Sequence, residues 1–194
     1  MKMVPDLAVS GSGLTFGPVQ KMGSEVRGKL LNWVSNMRQE RDGEEGAGPD
    51  GAGEWLEQQM QLAERNGLFQ TFVGLIDDEI VWTGSVVPDD RGARKQLQEA
   101  GIKVETFFGL FNTRVELRGR GIGWAGANYA MEHIYKNGSP VVGLFTTNKA
   151  AERHYLALGF KQHGLIFLPG LQKWSAFFIY NYHDGGMERP CRPQ

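Results

Sequence analysis

The residues best suited to chemistry lie in one glycine-rich stretch, Arg118-Gly119-Arg120-Gly121-Ile122-Gly123. It follows a run typical of a strand and precedes a run typical of a helix, which opens near Trp124. Glycines let the backbone turn tightly and bring its N–H groups close to a ligand. The first turn of a helix adds the positive end of its dipole. With two arginines in the same stretch, the pattern predicts a site for phosphate groups.

One phosphate ligand suggested by this stretch is a dinucleotide, because Gly121-x-Gly123-x-x-Gly126 matches the dinucleotide-binding fingerprint. That fingerprint requires an acidic residue about 20 positions later to hold the ribose. The next strand-like run ends in Thr147 and Asn148, without a carboxylate, and no second strand–helix–strand unit follows it. The dinucleotide interpretation is therefore disfavoured.

A second pattern, Asn-x-x-Ala-x-x-x-Tyr-x-x-x-Gly-Phe, occupies residues 148–160. Together with the Arg-x-x-Gly-x-Gly loop at 118–123, it resembles the motifs of the GNAT superfamily of acyl-CoA-dependent N-acyltransferases. The match is good over residues 105–162, and the order of predicted elements extends it over 14–182. The two motifs begin 30 residues apart, with a helix and a strand between them, which makes the combination specific.

The resemblance implies an α/β (α+β) fold, and hydrophobic periodicity leads to the same element order independently. We expect a single-domain mixed central sheet of about seven strands flanked by about four helices. The predicted strands are 14–19, 68–76, 80–87, 104–110, 141–146, 164–168 and 175–182. The predicted helices are 24–41, 54–66, 124–136 and 150–158, and the polar stretch 88–103 is expected to include at least one helical turn. The domain would span 14–183, with a flexible N-terminus at 1–13, a mobile loop at 42–53 and a flexible tail at 184–194.

The resemblance also implies roles for individual residues. Backbone N–H groups at 111–113 would bind pantetheine and polarise the thioester carbonyl, and the stretch 118–124 would hold the pyrophosphate of acetyl-CoA. Tyr155 would protonate the leaving CoA thiolate, since a phenol suits a thiolate of similar basicity. Asn148 would hydrogen-bond pantetheine or position a water molecule. The predicted cofactor-binding residues are Phe111, Asn112, Thr113, Arg118, Gly119, Arg120, Gly121, Ile122, Gly123, Trp124 and Asn148.

The general base is left open among three carboxylates. Glu105 begins the central strand, where members of the family often carry a glutamate that acts directly or through water. Phe107 follows two residues later on the same face and cannot take a proton. Asp89 and Asp90, after the third strand, are the alternatives, and all three carboxylates could instead only bind a cationic substrate. Among them we favour Glu105.

Several of these residues have a purely structural alternative. Tyr155 could be an ordinary core tyrosine of its helix, and Asn148 could be a helix N-cap, a role compatible with ligand contact. We expect His154 to face solvent, and the four histidines show no metal-ligand spacing, so no metal site is predicted. The chain has Thr-Arg-Val at 113–115, where many members of the family have a Val-x-Pro turn, which leaves the oxyanion donor unassigned.

Bulk properties agree with a soluble globular protein. The chain has 194 residues and a net charge of −1, which gives no global field for nucleic acid or an anionic membrane. The single cysteine, Cys191, cannot form an internal disulfide and fits a reducing compartment. Residues 1–13 lack the apolar segment of a signal peptide, and no apolar run approaches the roughly 20 residues that span a bilayer. We therefore expect a cytoplasmic protein.

The predicted function is an N-acetyltransferase that moves an acetyl group from acetyl-CoA directly to a primary amine. Direct attack is expected because no Ser-His pair suggests an acyl-enzyme and the one cysteine lies in the predicted tail. The favoured acceptor is a small cationic molecule such as a polyamine, an aminoglycoside or an amino acid derivative. That preference comes from a carboxylate-rich edge, which consists of Asp77, Asp78, Glu79, Asp89, Asp90 and Glu105.

Two alternatives stay open. One is a protein or peptide N-acetyltransferase, which should have an open groove in place of a closed pocket. The other is a non-catalytic acyl-CoA-binding regulatory module, which would be indifferent to the loss of the Tyr155 hydroxyl. Members of the family are often dimers, so the resemblance adds a homodimer to the predicted partners, alongside the small amine and with no nucleic acid, membrane or metal.

Overall fold

The computed structural model describes residues 13–40, 53–54, 56–58, 60–61, 70–87, 92–104, 106–136, 141–169 and 172–182. The chain divides into two compact units. Unit 1 is formed by Met1–Gly84 and Asn112–Gly126, and unit 2 by Ser85–Phe111 and Ala127–Gln194. The predicted flexible tail at 184–194 lies outside the described residues, as do the predicted N-terminus and mobile loop except for residues 13 and 53.

The described residues form a mixed α/β fold with a seven-stranded sheet in the order β1-β2-β3-β4-β5-β7-β6. The strands are β1 Thr15–Pro18, β2 Gln70–Ile76, β3 Glu79–Val87, β4 Thr106–Thr113, β5 Val141–Thr146, β6 Lys161–Leu168 and β7 Lys173–Asn181. The helices are α1 Gly23–Glu40, α2 with helical residues 53–54, 56–58 and 60–61, α3 Arg94–Glu99, α4 Ile122–Lys136 and α5 Lys149–Ala157. The predicted fold class and seven strands are confirmed, although β4 continues to Thr113, beyond the predicted end at 110.

Unit 1 begins with a small antiparallel arrangement. β1 pairs with β2 from Thr15↔Leu75 to Pro18↔Phe72. β2 and β3 are joined by a two-residue turn at Asp77 and Asp78, whose φ angles are 49° and 63°. Two-residue hairpin turns with positive φ match the twist of the strands, and aspartate tolerates this conformation. The predicted hairpin is therefore present, and its acidic residues build the turn.

The core of unit 1 draws buried apolar residues from α1, α2, β2 and β3. Apolar residues recur at helical spacing in both helices, which is the pattern of an amphipathic helix that covers a sheet. The buried residues of this unit include Leu30 and Val34 from α1, Leu56 and Met60 from α2, and Phe72, Val73, Ile80, Val81 and Trp82 from the strands.

Unit 2 is built around β5. This strand pairs antiparallel with β7 from Val141↔Asn181 to Thr146↔Ala176, and β7 pairs antiparallel with β6. The rings of Phe107, Phe145 and Phe177 form a stack across neighbouring strands, with centroid distances of 5.1 Å at both steps. Within α4, the residues buried at i, i+3, i+4 and i+7 spacing are Ala127, Ala130, Met131 and Ile134. No helix within the described part of the chain has the length and apolar character needed to cross a membrane.

Candidate functional site

The central strand β4 leaves its parallel partner early. The β4–β5 pairing joins Thr106 with Val142 and Phe107 with Gly143, whereas β4 itself continues to Thr113. Leu110, within this continuation, has a φ of 50°, which is rare for a residue other than glycine. A left-handed residue inside a strand interrupts the regular ladder and redirects the backbone that follows. Beyond Phe107, β4 can therefore present main-chain hydrogen-bonding groups to a ligand.

The end of β4 is held in unit 1 by main-chain and side-chain contacts. The Arg114 N–H donates a hydrogen bond of 3.0 Å to the carbonyl of Val81 on β3. A short 3-10 turn, Val115–Leu117, then leads into the glycine-rich stretch. At 113–115, where many members of the family have a Val-x-Pro turn, β4 of this chain ends and the 3-10 turn begins.

The glycine-rich loop has the backbone conformation that its sequence predicts. Gly119 and Gly121 have φ angles of 78° and 79°, and a Cβ at either position would have no neighbour within 4 Å. The backbone conformation, and not a shortage of space, therefore requires glycine here. The Gly121 carbonyl accepts a 2.9 Å hydrogen bond from the N–H of Ala125, so α4 begins directly from this loop. The first turn of α4 contains no acidic residue.

This geometry is suited to an anion. The first N–H groups of a helix have no partner within the helix, and their combination with the helix dipole favours a phosphate. The open space around Gly119 and Gly121 allows a ligand to approach the main chain. The arginines add positive charge, and the side chains of both Arg118 and Arg120 are exposed.

Arg118 also connects the loop to the end of β4. Its Nε donates to the carbonyl of Thr113 at 3.2 Å, and its Nη2 donates to Oδ1 of Asn112 at 3.4 Å. Three of the predicted cofactor-binding residues are therefore in direct contact within unit 1. The arginine positions the end of β4 relative to the loop, a role that the sequence pattern does not indicate.

The last glycine of the formal dinucleotide fingerprint has a packing role. A Cβ on Gly126 would lie 2.4 Å from two atoms of the Trp82 indole ring. Glycine at this position therefore allows α4 to pack closely against β3. Packing against Trp82 is therefore enough to explain the glycine at position 126, without a bound dinucleotide.

Tyr155 lies on α5 among aromatic side chains of unit 2. It is 9% exposed, and its ring centroid is 6.0 Å from those of Phe111, Phe160 and Phe178. These contacts hold the phenol ring in a defined orientation beside β4. Two residues that the sequence assigns to the site, Tyr155 and Phe111, are therefore brought together.

Asn148 caps the start of α5. Its Oδ1 accepts a 3.3 Å hydrogen bond from the N–H of Ala151, and its carbonyl accepts a 3.0 Å bond from the N–H of Glu152. An asparagine in this geometry satisfies an N–H that would otherwise lack a partner. The structural alternative for Asn148 is thus confirmed, and its contact with a cofactor stays a prediction.

The same motif also ends the helix. Gly159 has a φ of 91°, and its N–H donates to the carbonyl of Leu156 at 3.0 Å. The Phe160 N–H donates to the carbonyl of Tyr155, also at 3.0 Å. This pair of bonds is a Schellman motif, and the ring contact between Phe160 and Tyr155 is the apolar contact that accompanies it.

No protein-family model matches the sequence, and no curated protein matches it either. Solved structures do match the fold. An aminoglycoside 6′-N-acetyltransferase complexed with coenzyme A has a TM-score of 0.62 at 14% identity, over 86% of this chain and 96% of that chain. The PaiA N-acetyltransferase from Thermoplasma acidophilum in complex with coenzyme A has a TM-score of 0.62 at 13% identity, over 87% and 99%. RimL, a ribosomal L7/L12 alpha-N-protein acetyltransferase in complex with coenzyme A, has a TM-score of 0.59 at 14% identity, over 89% and 96%.

The chain has the GNAT fold. Within this fold, the β4 strand that leaves its partner and the glycine loop that opens α4 occur in the chain order implied by the sequence motifs. The three predicted candidates for the general base, Glu105, Asp89 and Asp90, lie outside the described residues. No group of three or more His, Cys, Asp or Glu side chains in the described ranges could hold a metal ion.

His154 differs from its predicted environment. It was expected to face solvent, but its side chain is half-buried and its ring centroid lies 5.4 Å from that of Phe111. Its Nε2 is buried, and no described residue forms a hydrogen bond with it. Burial lowers the pKa of His154, because the charged imidazolium is poorly solvated there. The expectation of a solvent-facing histidine was wrong because periodicity cannot distinguish two adjacent helix residues at the edge of a buried face.

A polar cleft of about 310 Å³ lies in unit 1 between α1 and the region of Glu79 and Arg114. Glu79 is paired with Arg114 at 3.0 Å and with Lys29 at 3.6 Å. Lys29 also contacts Glu25 at 3.2 Å, and this hydrogen-bonded carboxylate raises the pKa of the lysine. The negative charge of Glu79 at the predicted carboxylate-rich edge is therefore already compensated.

Proposed function

We propose that the protein transfers an acetyl group from acetyl-CoA directly to a primary amine. The observation that carries this proposal is the conformation of the loop at 118–121, which leads into α4 with two left-handed glycines and open space around them. This arrangement is suited to a pyrophosphate. The likeness in fold to three N-acetyltransferases that were solved with coenzyme A supports the choice of this cofactor.

The residues present fit acetyl-CoA in chemistry. The main-chain N–H groups at the start of α4, with Arg118 and Arg120, would hold the pyrophosphate. The main chain of β4 at 111–113 would hydrogen-bond pantetheine, whose amide groups resemble those of a peptide strand. Acetyl-CoA supplies an activated acyl group as a thioester.

Three actions are then required of the protein. The amine must lose a proton, the developing oxyanion must be stabilised, and the departing thiolate must gain a proton. Tyr155 is our candidate for the proton donor, because its ring is held in place by packing against Phe111 and two further aromatic rings. Main-chain N–H groups at 111–113 would stabilise the oxyanion, and Glu105 is our first candidate for the base, ahead of Asp89 and Asp90.

The acceptor that we favour is a small cationic amine. The match to an aminoglycoside acetyltransferase supports this class, whereas the match to RimL, which acts on a protein, supports the alternative of a protein acceptor. Within the described part of the predicted carboxylate-rich edge, Asp77 and Asp78 are exposed in the turn between β2 and β3. A location in the cytoplasm, a single domain at 14–183 and a homodimer stay predictions.

The proposal is tested by measuring CoA thiol release from acetyl-CoA in the presence of polyamines, aminoglycosides, amino acids and basic peptides, with each amine omitted in turn as the control. We expect turnover with one of the first three classes. Turnover with peptides alone would favour the protein acetyltransferase. Acetyl-CoA binding without turnover on any amine would favour the regulatory module, and no binding of acetyl-CoA would contradict the proposed function.

A further inference from the structure

The Nε2 of His154 is one of the few buried side-chain polar atoms in the described part of the chain for which the structure shows no hydrogen bond. Among the described residues, nothing forms a hydrogen bond with its Nε2, although the atom is shielded from solvent. A buried polar atom without a hydrogen bond costs free energy, so native proteins provide a partner for nearly all such atoms. The position of His154 indicates what kind of partner this is.

The side chain of His154 contacts two residues of unit 2 that the sequence assigns to the site, Phe111 and Tyr155. Its ring lies 5.4 Å from Phe111 and 6.0 Å from Tyr155, measured between centroids. Phe111 belongs to the part of β4 that follows the left-handed Leu110 and lies beyond the β4–β5 ladder. His154 therefore packs against the side chain of Phe111, a residue whose main chain the proposed function assigns to the pantetheine arm.

The protonation state of the imidazole indicates the chemical class of this partner. Burial lowers the pKa of His154, which favours the neutral ring. A neutral imidazole nitrogen forms one hydrogen bond, as a donor or as an acceptor depending on the tautomer. Such a nitrogen suits an uncharged amide or carbonyl group, whereas a phosphate would favour a charged partner.

We propose that His154 is a cofactor-binding residue whose Nε2 forms a hydrogen bond with an amide or carbonyl group of the pantetheine arm of acetyl-CoA. This inference rests on the proposed function, since it requires that the protein binds an acyl-CoA. It differs from a packing role, in which the ring would only support Phe111 and Tyr155. An apolar side chain could replace the ring in a packing role but could not replace the hydrogen bond.

Calorimetric titration of three variants with two ligands separates these roles. His154→Gln places an amide near the position of Nε2, His154→Asn places one near Nδ1, and His154→Leu retains bulk without polarity. The ligands are CoA and adenosine 3′,5′-bisphosphate, which lacks the phosphopantetheine part of CoA. We expect His154→Leu and His154→Asn to weaken CoA binding by about 3- to 10-fold, as expected for one hydrogen bond. His154→Gln should bind CoA as the wild type does, and all three should bind the bisphosphate unchanged.

The opposite results overturn the inference. If His154→Leu binds CoA as tightly as the wild type, or loses affinity for both ligands equally, His154 has only a packing role. The ¹⁵N chemical shift of Nε2 in the wild-type protein gives a second reading that needs no substitution: it should change on addition of CoA but not of the bisphosphate, and an unchanged shift with CoA bound contradicts the contact. If the wild-type protein binds neither ligand, the proposed function itself fails and this inference fails with it, a result distinct from the others.

Discussion

The two sequence motifs of this chain use their glycines in different ways. In the loop, Gly119 and Gly121 adopt left-handed conformations with nothing within 4 Å of a Cβ, so their conformation serves no internal packing. At the end of α5, Gly159 is also left-handed, but a Cβ there would lie 3.2 Å from the ring of Tyr180. Its N–H and that of Phe160 close the helix.

This comparison distinguishes two roles: Gly119 and Gly121 shape a surface on which a ligand could bind, whereas Gly159 ends the helix α5. The loop is exposed to solvent, and ordering its glycines costs conformational entropy. No packing contact of Gly119 or Gly121 offsets this cost, whereas a bound ligand would. The α5 motif consists largely of caps, with Asn148 at one end and Gly159 and Phe160 at the other. Tyr155, the one other polar residue that the motif specifies, lies between these caps. A shared motif therefore need not consist of residues that touch a ligand.

The largest effect is expected from Tyr155→Phe. This change retains the aromatic packing with Phe111 and Phe178 but removes the proton donor, so turnover should fall by about 10²- to 10⁴-fold, with CoA affinity and melting temperature nearly unchanged. Steady-state kinetics with the best acceptor measure the loss. Tyr135→Phe is the matched control, since Tyr135 is 48% exposed. Full turnover in Tyr155→Phe would mean that Tyr155 is not the proton donor.

The second prediction compares two left-handed glycines. Gly121 and Gly101 have φ angles of 79° and 70°, and neither has a neighbour within 4 Å of a Cβ. Replacement by alanine should cost each about 1–2 kcal/mol of stability, because an L-residue is strained there. Only Gly121→Ala should also weaken CoA binding, by about tenfold or more. Equal affinity in the two variants would show that the loop does not bind the cofactor.

A smaller effect is expected at the N-cap of α5. Asn148→Ala removes the oxygen that accepts the Ala151 N–H, so the free energy of unfolding should fall by about 1 kcal/mol. Asn148→Asp keeps a capping oxygen and places a negative charge near the start of the helix, so it should be as stable as the wild type. Urea unfolding of the three proteins measures the difference. An alanine variant as stable as the wild type would contradict the assignment of Asn148 as a cap.

The smallest expected effect is on the pH dependence of the free energy of unfolding. Because burial lowers the pKa of His154, the unfolded chain takes up a proton at pH values where the folded protein keeps the ring neutral. The stability that depends on the neutral ring is complete above the unfolded pKa of about 6.5 and declines as the pH falls below it. The wild type should therefore lose more unfolding free energy than His154→Leu between about pH 7.5 and about pH 5.5. Parallel curves would mean that His154 has the same pKa in both states.

Much of the fold could be predicted from the sequence because its signals are local. The Asp77-Asp78 turn, the apolar spacing of α4 and the glycines of the loop each act over a few residues. The contacts that refine the site are not local. The left-handed Leu110, the bonds from Arg118 to Thr113 and Asn112, and the burial of His154 depend on tertiary packing that periodicity does not encode.

The central claim is that the loop and the end of β4 bind CoA, whereas Gly159 and Phe160 at the end of α5 serve the fold. Backbone amide NMR during a CoA titration measures both regions at once. We predict shifts concentrated at 111–113 and 119–124, with the amides of Gly159 and Phe160 little changed. Binding with no shift at 119–124, or no binding of CoA, would contradict the account.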